Sequence, residues 1–350
     1  MAGGPGTAEL AGEVSRAGGL GVLPVTGRTT SDAVAATKAA IAAAGEAPVA
    51  VNAQLAPPTP ATGDAGRISA VLAPFRAELG LPVAPPPSVP PDDPLALLEA
   101  CVAAGASAIT TFGDPAAAIP IARAAGIPLL AMVTTPAGAL VAAAAGADGV
   151  IAQGAESGGH RSTLDPTVGP AERREIGTVV LVRQIVSVLG EETPVIASGG
   201  IMDGHGIAAV LALGAAGVSL GTRFLLAREA DVAPCYREAL RVCAANETIV
   251  TDAVTGRPAR WIANRIVAAL VEADVGTLGW GAQGRLIADV RRAAAAQGRA
   301  DLLPMLTGQG AALAGPIQPA SEIVAQLMGE LDDALVASAR RPPAILHAPH

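Results

Sequence analysis

The sequence predicts an α/β protein that folds as a (β/α)8 barrel of the TIM type. Short apolar runs alternate with Ala-rich segments of helical character up to residue 225. This alternation is typical of βαβ units wound around a parallel sheet. The apolar runs are continuous and do not alternate with polar residues, which indicates strands that are buried on both faces.

Seven segments are predicted as strands, and helices lie between most of them. The predicted strands are residues 19–23, 48–52, 108–111, 129–134, 149–152, 195–198 and 217–220. The predicted helices include residues 7–17, 31–44, 114–125, 135–145, 176–189 and 203–212. Ser31 and Asp203 are candidate N-caps, and Gly126, Gly146 and Gly214 are candidate helix ends.

Seven strands are one short of a closed barrel, so we expect the barrel to lack most of its first strand, which would precede residue 1. The predicted barrel spans residues 1–230. Its Pro-rich segment at 57–94 is longer than an ordinary βα loop and predicts an insertion over the barrel rim. Residues 231–340 lack strand character and predict a helical subdomain packed on one end of the barrel. Residues 341–350 are predicted to be a disordered tail.

The composition excludes several classes of protein. Hydrophobic residues make up 51% of the chain and charged residues 15%, which is too apolar for a disordered chain. No apolar run approaches the ~20 residues of a membrane span, and the net charge of −8 argues against a nucleic-acid surface. The N-terminus lacks the features of a secretory signal, and the three cysteines form no C-x-x-C pair. We therefore expect a cytoplasmic protein without a disulfide framework or a metal site.

Two predicted strand ends carry a candidate phosphate site. One ends at Ser198-Gly199-Gly200, and the next ends at Gly221-Thr222. In a barrel both lie at the carboxyl-terminal face, where glycine lets backbone N–H groups approach an oxyanion and a helix N-terminus adds positive potential. FMN is the cofactor that best fits this design, since the chain has neither a P-loop nor a dinucleotide-binding fingerprint.

The segment from 150 to 162 places Gln153, Gly158, Gly159 and His160 directly after another predicted strand. Gln153 is a candidate for contact with a flavin ring edge, because its amide both donates and accepts hydrogen bonds. The two glycines let the chain pass close to the ring. His160 is the candidate catalytic residue, because an imidazole titrates near neutral pH and can exchange a proton with a small acidic substrate.

Six further segments carry a resemblance to a known family. They are MAGG at 1–4, AGGLGVL at 17–23, VAVN at 49–52, ITTFGDP at 109–115, TGRPARWIANR at 255–265 and TGQGAAL at 307–313. With the two strand-end segments they resemble the nitronate monooxygenase family, formerly called 2-nitropropane dioxygenases. The resemblance implies that His160 matches the active-site histidine. It implies FMN contacts at Met1, Ala2, Gly3, Asn52, Gln153, Gly158, Gly199, Gly200, Ser219, Leu220, Gly221 and Thr222.

The resemblance implies the oxidation of an alkyl nitronate by dioxygen to a carbonyl compound and nitrite, without a nicotinamide. Two alternatives stay open. The same scaffold resembles flavin-dependent enoyl-acyl-carrier-protein reductases and NADH:quinone reductases, and a barrel without flavin would have no catalytic role. Relatives usually carry further residues before the MAGG segment and a larger polar residue at the position of Ser219. A homodimer is compatible with this sequence, which does not determine the oligomeric state.

Overall fold

The computed structural model describes residues 4–83, 92–164 and 175–340. The predicted flavin contacts at Met1, Ala2 and Gly3 and the predicted tail at 341–350 lie outside these described residues. Part of the Pro-rich insertion, residues 84–91, lies outside them as well.

All seven predicted strands are confirmed, and they form one parallel sheet. In chain order the strands are β1 Gly21–Pro24, β2 Val49–Gln54, β3 Ala108–Phe112, β4 Leu129–Val133, β5 Gly149–Gln153, β6 Gly159–His160, β7 Val195–Ser198, β8 Gly217–Ser219, β9 Thr248–Thr251 and β10 Ala259–Ile262. The large sheet has the order β1-β2-β3-β4-β5-β7-β8. Within the described part of the chain no strand lies between β1 and β8, so these two strands are the edges of a curled sheet.

Helices follow most strands of the large sheet, as the alternation predicts. They are α1 Ala8–Arg16, α2 Thr30–Ala44, α3 Ala65–Glu78, α4 Pro94–Ala103, α5 Ile119–Ala125, α6 Pro136–Ala145, α7 Thr178–Leu189, α8 Gly204–Ala212, α9 Pro234–Val242, α10 Arg265–Glu272, α11 Ala282–Leu286, α12 Ala288–Ala296 and α13 Ala320–Arg340. Short 3-10 turns cover Thr222–Leu226, Ala245–Glu247 and Gln309–Leu313. None of the helices in the described ranges is long and apolar enough to cross a bilayer.

Helix ends follow the predicted signals with one exception. Asp203 caps α8 by accepting a hydrogen bond from the backbone N–H of Gly206. Gly126 and Gly146 end α5 and α6 in the left-handed conformation that favours glycine. The predicted cap at Ser31 is wrong, because Thr29 lies two residues earlier with an extended backbone and its side chain accepts from the N–H of Asp32.

The main core lies between the large sheet and its helices. Val51, Ile109, Ala131, Val150 and Ala197 from five successive strands are fully buried there. The last helix, α13, returns to this core and packs against α8 and α1. The long C-terminal helix therefore covers the barrel wall, although it is far from the barrel strands in sequence.

The prediction that strand structure ends at residue 225 is wrong. Strands β9 and β10 pair antiparallel, and β10 also pairs with β6, so that a three-stranded sheet forms beside the barrel. Each strand is only two to four residues long. Runs this short leave no clear periodic signal, and the pairing partner of β10 lies about a hundred residues earlier in the chain.

A second core forms around this small sheet. Trp261 on β10 is fully buried, together with Ile266 of α10 and Leu302. The Pro-rich insertion contributes Ile68 and Leu72 of α3 to the same cluster. A buried ion pair between Arg76 of α3 and Asp289 of α12 joins the two elements further. The described part of the insertion therefore packs with the C-terminal helices.

Candidate active site

A cavity of about 1100 Å³ lies at the carboxyl ends of the barrel strands, between the barrel and the C-terminal helices. The structure brings every predicted site residue that it describes into the wall of this cavity. They are Asn52, Gln153, Gly158, His160, Gly199, Gly200, Ser219, Leu220, Gly221 and Thr222. Seven of these ten positions follow three successive strands of the large sheet, as a barrel site requires.

His160 lies at the end of β6, where it pairs with Ala259 of β10. Three aromatic rings surround the imidazole, with ring centroids 6.4 Å away for Phe112, 5.9 Å for Trp261 and 4.4 Å for Trp280. All three contacts are edge-to-face. The small sheet thus fixes the backbone of the histidine, and the aromatic rings fix the plane of its side chain.

The hydroxyl of Thr255 fixes the protonation pattern of this imidazole. His160 Nε2 lies 2.8 Å from Thr255 Oγ1, and the same oxygen lies 3.4 Å from the carbonyl oxygen of Arg257. A hydroxyl has one proton, so both contacts are satisfied together only when Nε2–H donates to Thr255 and Thr255 donates to the carbonyl. This arrangement leaves Nδ1 as the acceptor nitrogen.

The expectation that His160 titrates near neutral pH is wrong. Burial, together with the positive charges of Arg257 and Arg291, lowers the pKa of His160 to about 3. Desolvation and a nearby like charge both disfavour the imidazolium. His160 is therefore a neutral imidazole at pH 7, and it is a weaker base than a histidine in water.

The side chain of Gln153 holds the chain that carries His160. Its Nε2 donates to the carbonyl oxygen of His160 at 2.8 Å, and its Oε1 accepts from the N–H of Ser162 at 2.9 Å. One Nε2 hydrogen and one Oε1 lone pair then stay available to the cavity. The amide of Asn52 likewise donates across the sheet, to Thr110 Oγ1 at 2.9 Å.

Glycines let three segments meet in the wall of the cavity. A Cβ atom on Gly158 would lie 2.6 Å from the backbone nitrogen of Gly308, and one on Gly199 would lie 2.5 Å from Ser157 Oγ. Both distances are shorter than real Cβ contacts, so side chains are excluded there. Thr222 Oγ1 accepts from the N–H of Gly308 at 3.0 Å and ties the end of β8 to the same place.

This part of the cavity wall fits a phosphate-bearing cofactor. No acceptor within the described ranges faces the backbone N–H groups of Gly200, Leu220 and Gly221. Ser157 Oγ is also buried there without a hydrogen-bond partner among the described residues. Orphan N–H groups at the start of helical turns are the donors that proteins use for phosphate oxygens.

Comparisons with known proteins agree with this geometry. The profile of the nitronate monooxygenase family matches residues 1–330. The chain belongs to the nitronate monooxygenase family. The family consists of flavin-dependent oxidoreductases.

A probable nitronate monooxygenase of Staphylococcus aureus strain MSSA476 is 38% identical over 186 residues, which are 53% of this chain and 51% of that protein. The chain thus spans about half the length of the curated relatives it matches.

Solved structures of two enzymes superpose on nearly the whole chain. The nitroalkane oxidase from Streptomyces ansochromogenes superposes with a TM-score of 0.85 at 33% identity, covering 97% of this chain and 95% of the other. This likeness confirms the TIM-type barrel. FabK from Thermotoga maritima superposes with a TM-score of 0.73 at 28% identity, covering 97% and 93% of the two chains.

In this member of the nitronate monooxygenase family, several residues at or beside the cavity were not predicted as site residues. Thr255 and Trp280 contact His160 from loops of the C-terminal region, and Tyr236 and Arg291 line the cavity from α9 and α12. The TGRPAR segment could have pointed to Thr255 as a site residue, because this segment contains Thr255 and carries part of the family resemblance. Arg291 and Tyr236 lie in ordinary amphipathic helices, and no local pattern marks them.

Proposed function

We propose that this protein is an FMN-dependent oxidoreductase that oxidises alkyl nitronates with dioxygen to carbonyl compounds and nitrite. The atoms balance when two nitronates and one dioxygen give two carbonyl compounds and two nitrite ions. The observation that carries the proposal is that one cavity holds both the neutral, aromatic-enclosed His160 and a glycine-lined cradle, which consists of the unpaired N–H groups of Gly200, Leu220 and Gly221. Family membership supports the flavin and the oxidoreductase class.

The two strand ends would hold the cofactor. Gly200, Leu220 and Gly221 offer their N–H groups to a phosphate, and the hydroxyl of Thr222 keeps the neighbouring chain in place. FMN, when bound, supplies the redox chemistry by taking electrons from the substrate and passing them to dioxygen. FMN carries one terminal phosphate, which suits a cradle made of neutral backbone donors.

His160 determines which protonation state of the substrate reacts well. Its Nδ1 is an acceptor and can take the α-proton of a neutral nitroalkane. Because its pKa is lowered to about 3, this proton transfer runs against the acidity difference and is slow. A nitronate has already lost that proton. The site therefore favours the nitronate over the neutral nitroalkane.

Rapid mixing of the FMN-loaded protein without oxygen tests the proposal. Propyl-1-nitronate and NADH are mixed separately with the protein, and the flavin absorbance is followed. We expect a change with the nitronate and no change with NADH, and two nitrite ions per dioxygen consumed once air is admitted. Loss of flavin absorbance with NADH alone would instead support a nicotinamide-dependent reductase, the alternative that the sequence leaves open.

A further inference from the structure

The proposed reaction requires a positive charge inside the cavity, and His160 does not provide it. A nitronate is a planar anion whose charge is shared by two oxygens. Its transfer from water into an apolar, aromatic cavity is unfavourable unless a cation meets it there. His160 is neutral at pH 7, and its Nδ1 accepts hydrogen bonds, so it repels an anionic oxygen. The counter-charge therefore comes from another residue.

Most buried cations near the cavity already have partners. Arg161 and Arg260 both pair with Glu175 at 3.5 Å and donate to backbone carbonyls. Arg257 donates to the carbonyl of Arg161, and its guanidinium stacks on the ring of Phe112 at 4.9 Å. These arginines stabilise the loops next to His160 through their hydrogen bonds to backbone carbonyls, and none of them lines the cavity.

Arg291 differs from these arginines. It lies on α12 and lines the cavity together with Arg292, but Arg292 is exposed, whereas the charge of Arg291 acts on both His160 and Tyr236. Its Nε is buried without a hydrogen-bond partner, and within the described ranges its guanidinium makes no hydrogen bond or ion pair. The hydroxyl of Tyr236 is engaged, because it donates to the carbonyl of Leu306.

The helix leaves room for a ligand beside this guanidinium. Ala288 and Ala295 lie three residues before and four residues after Arg291, so the three residues share one face of α12. All three line the cavity. The ion pair between Asp289 and Arg76 of α3 holds this helix in place from its other side.

We propose that Arg291 is the anion-binding residue of the active site and that its guanidinium fork pairs with the two oxygens of the nitronate. This inference rests on the proposed function for the identity of the anion. A planar guanidinium matches a planar dioxo anion by two parallel hydrogen bonds, which an ammonium does not reproduce. Arg291 thus binds the negative charge of the substrate. His160, oriented by Thr255, accepts the α-proton when the substrate is a neutral nitroalkane.

Binding of an unreactive anion tests this inference without turnover. Butyrate has the same number of heavy atoms as propyl-1-nitronate and carries a planar carboxylate in place of the nitronate. Butanamide is the neutral counterpart. Each is titrated into the FMN-loaded protein, and the perturbation of the flavin absorbance gives the Kd. We expect Arg291→Met to weaken butyrate binding by about 10- to 100-fold, which is the range for a charge-assisted pair.

Two further variants complete the test. Arg291→Lys keeps the charge but not the fork, and we expect it to retain part of the butyrate affinity. Arg285→Met removes an exposed arginine of α11 that does not line the cavity, and we expect it to bind butyrate as the unmodified protein does. For every variant the Kd of butanamide should stay unchanged.

The inference is overturned if the unmodified protein does not bind butyrate, or if Arg291→Met binds butyrate and butanamide with unchanged affinities. It is also overturned if Arg291→Met loses both ligands equally, because that result indicates a damaged cavity. Failure of the proposed function looks different. In that case propyl-1-nitronate is not oxidised by the unmodified protein, while butyrate binding still depends on Arg291.

Discussion

The imidazole of His160 contacts three aromatic rings and one hydroxyl, and this environment decides its chemistry. In water, the imidazole side chain is half protonated near pH 6.5. Here burial and two nearby arginines lower its pKa to about 3. His160 thus acts as a neutral hydrogen-bond acceptor because of the groups around it. Two measurements test the effect of these groups.

Thr255→Val should impair the oxidation of neutral nitroalkanes more than that of nitronates. The variant keeps the shape of the side chain but removes the acceptor for His160 Nε2–H, so that Nδ1 is less basic and less well oriented. We expect kcat/KM for 1-nitropropane, divided by kcat/KM for propyl-1-nitronate, to fall by about tenfold. Thr255→Ser keeps the hydroxyl and should restore the ratio. Equal losses in both variants would show that only the packing of Thr255 matters.

The stability contributed by neutral His160 should be lost as the pH falls. The pKa of His160 is about 3 in the folded protein and 6.5 in the unfolded chain. As the pH falls from 7 toward 3, the unfolded chain therefore binds the proton before the folded protein does. The free energy of unfolding should therefore fall by about 2 kcal/mol between about pH 7 and about pH 5, relative to His160→Asn. Urea unfolding of both proteins at each pH measures it. Parallel pH profiles for the two proteins would contradict the lowered pKa.

Among the elements, α13 shows how a distant helix is fixed to the barrel. Gly204 starts α8, and its N–H donates to Glu330 Oε2 of α13 at 3.0 Å. The backbone of Leu331 passes directly over the glycine, so that a Cβ atom at this position would overlap it. Leu327 and Leu331 are buried beside this contact. The close approach of α8 and α13 therefore depends on Gly204 having no side chain.

Gly204→Ala should loosen α13 and destabilise the protein by about 1–3 kcal/mol, the usual cost of overpacking. Gly329→Ala is the matched control, because Gly329 lies on the exposed face of α13 with open space around it. The control should be neutral or stabilising by up to about 1 kcal/mol, since alanine favours helix. Urea unfolding midpoints and limited proteolysis of α13 measure both effects. If the two variants are equally stable, the helices are not in tight contact.

At the scale of the whole molecule, two hydrophobic cores meet at the cavity. The barrel core supplies the strand ends, and the second core supports Trp261 and the helices that carry Tyr236 and Arg291. A ligand in this cavity touches groups held by both cores. Cofactor binding is therefore expected to stabilise the protein as a whole.

FMN should raise the melting temperature of the flavin-free protein more than riboflavin does. A ligand at 100 times its Kd stabilises the folded state by about 2.7 kcal/mol. Riboflavin has the same ring system but lacks the phosphate for the N–H groups of Gly200, Leu220 and Gly221. Thermal unfolding with equal concentrations of the two compounds gives the comparison. Equal shifts would mean that the cradle does not bind phosphate.

Features encoded within about ten neighbouring residues were predictable from the sequence. Continuous apolar runs predicted the seven strands of the large sheet, and Gly126 and Asp203 marked helix ends through their own backbone preferences. The cavity positions at Gly199, Gly200 and Thr222 followed from the strands, because every strand of a parallel barrel ends on the same face.

The small sheet and the helix contacts of the insertion were not predictable. Strands β6, β9 and β10 are too short for a periodic signal, and α3 packs against helices about two hundred residues away. Arg291 carries no local mark of its role. Only the packing of α12 brings its guanidinium into the cavity, and only the three-dimensional hydrogen-bond pattern shows that it has no partner among the described residues.

The barrel, the family resemblance and the candidacy of His160 as the catalytic residue were predictable from the chain, because each depends on residues that are close together in it. How that histidine behaves depends on the folded structure. Thr255, Arg257 and Trp261 lie about a hundred residues after His160 in the chain, and Phe112, Trp280 and Arg291 come from three further segments. A pKa depends on the charges and the water excluded within a few ångströms, and only folding determines which residues come that close.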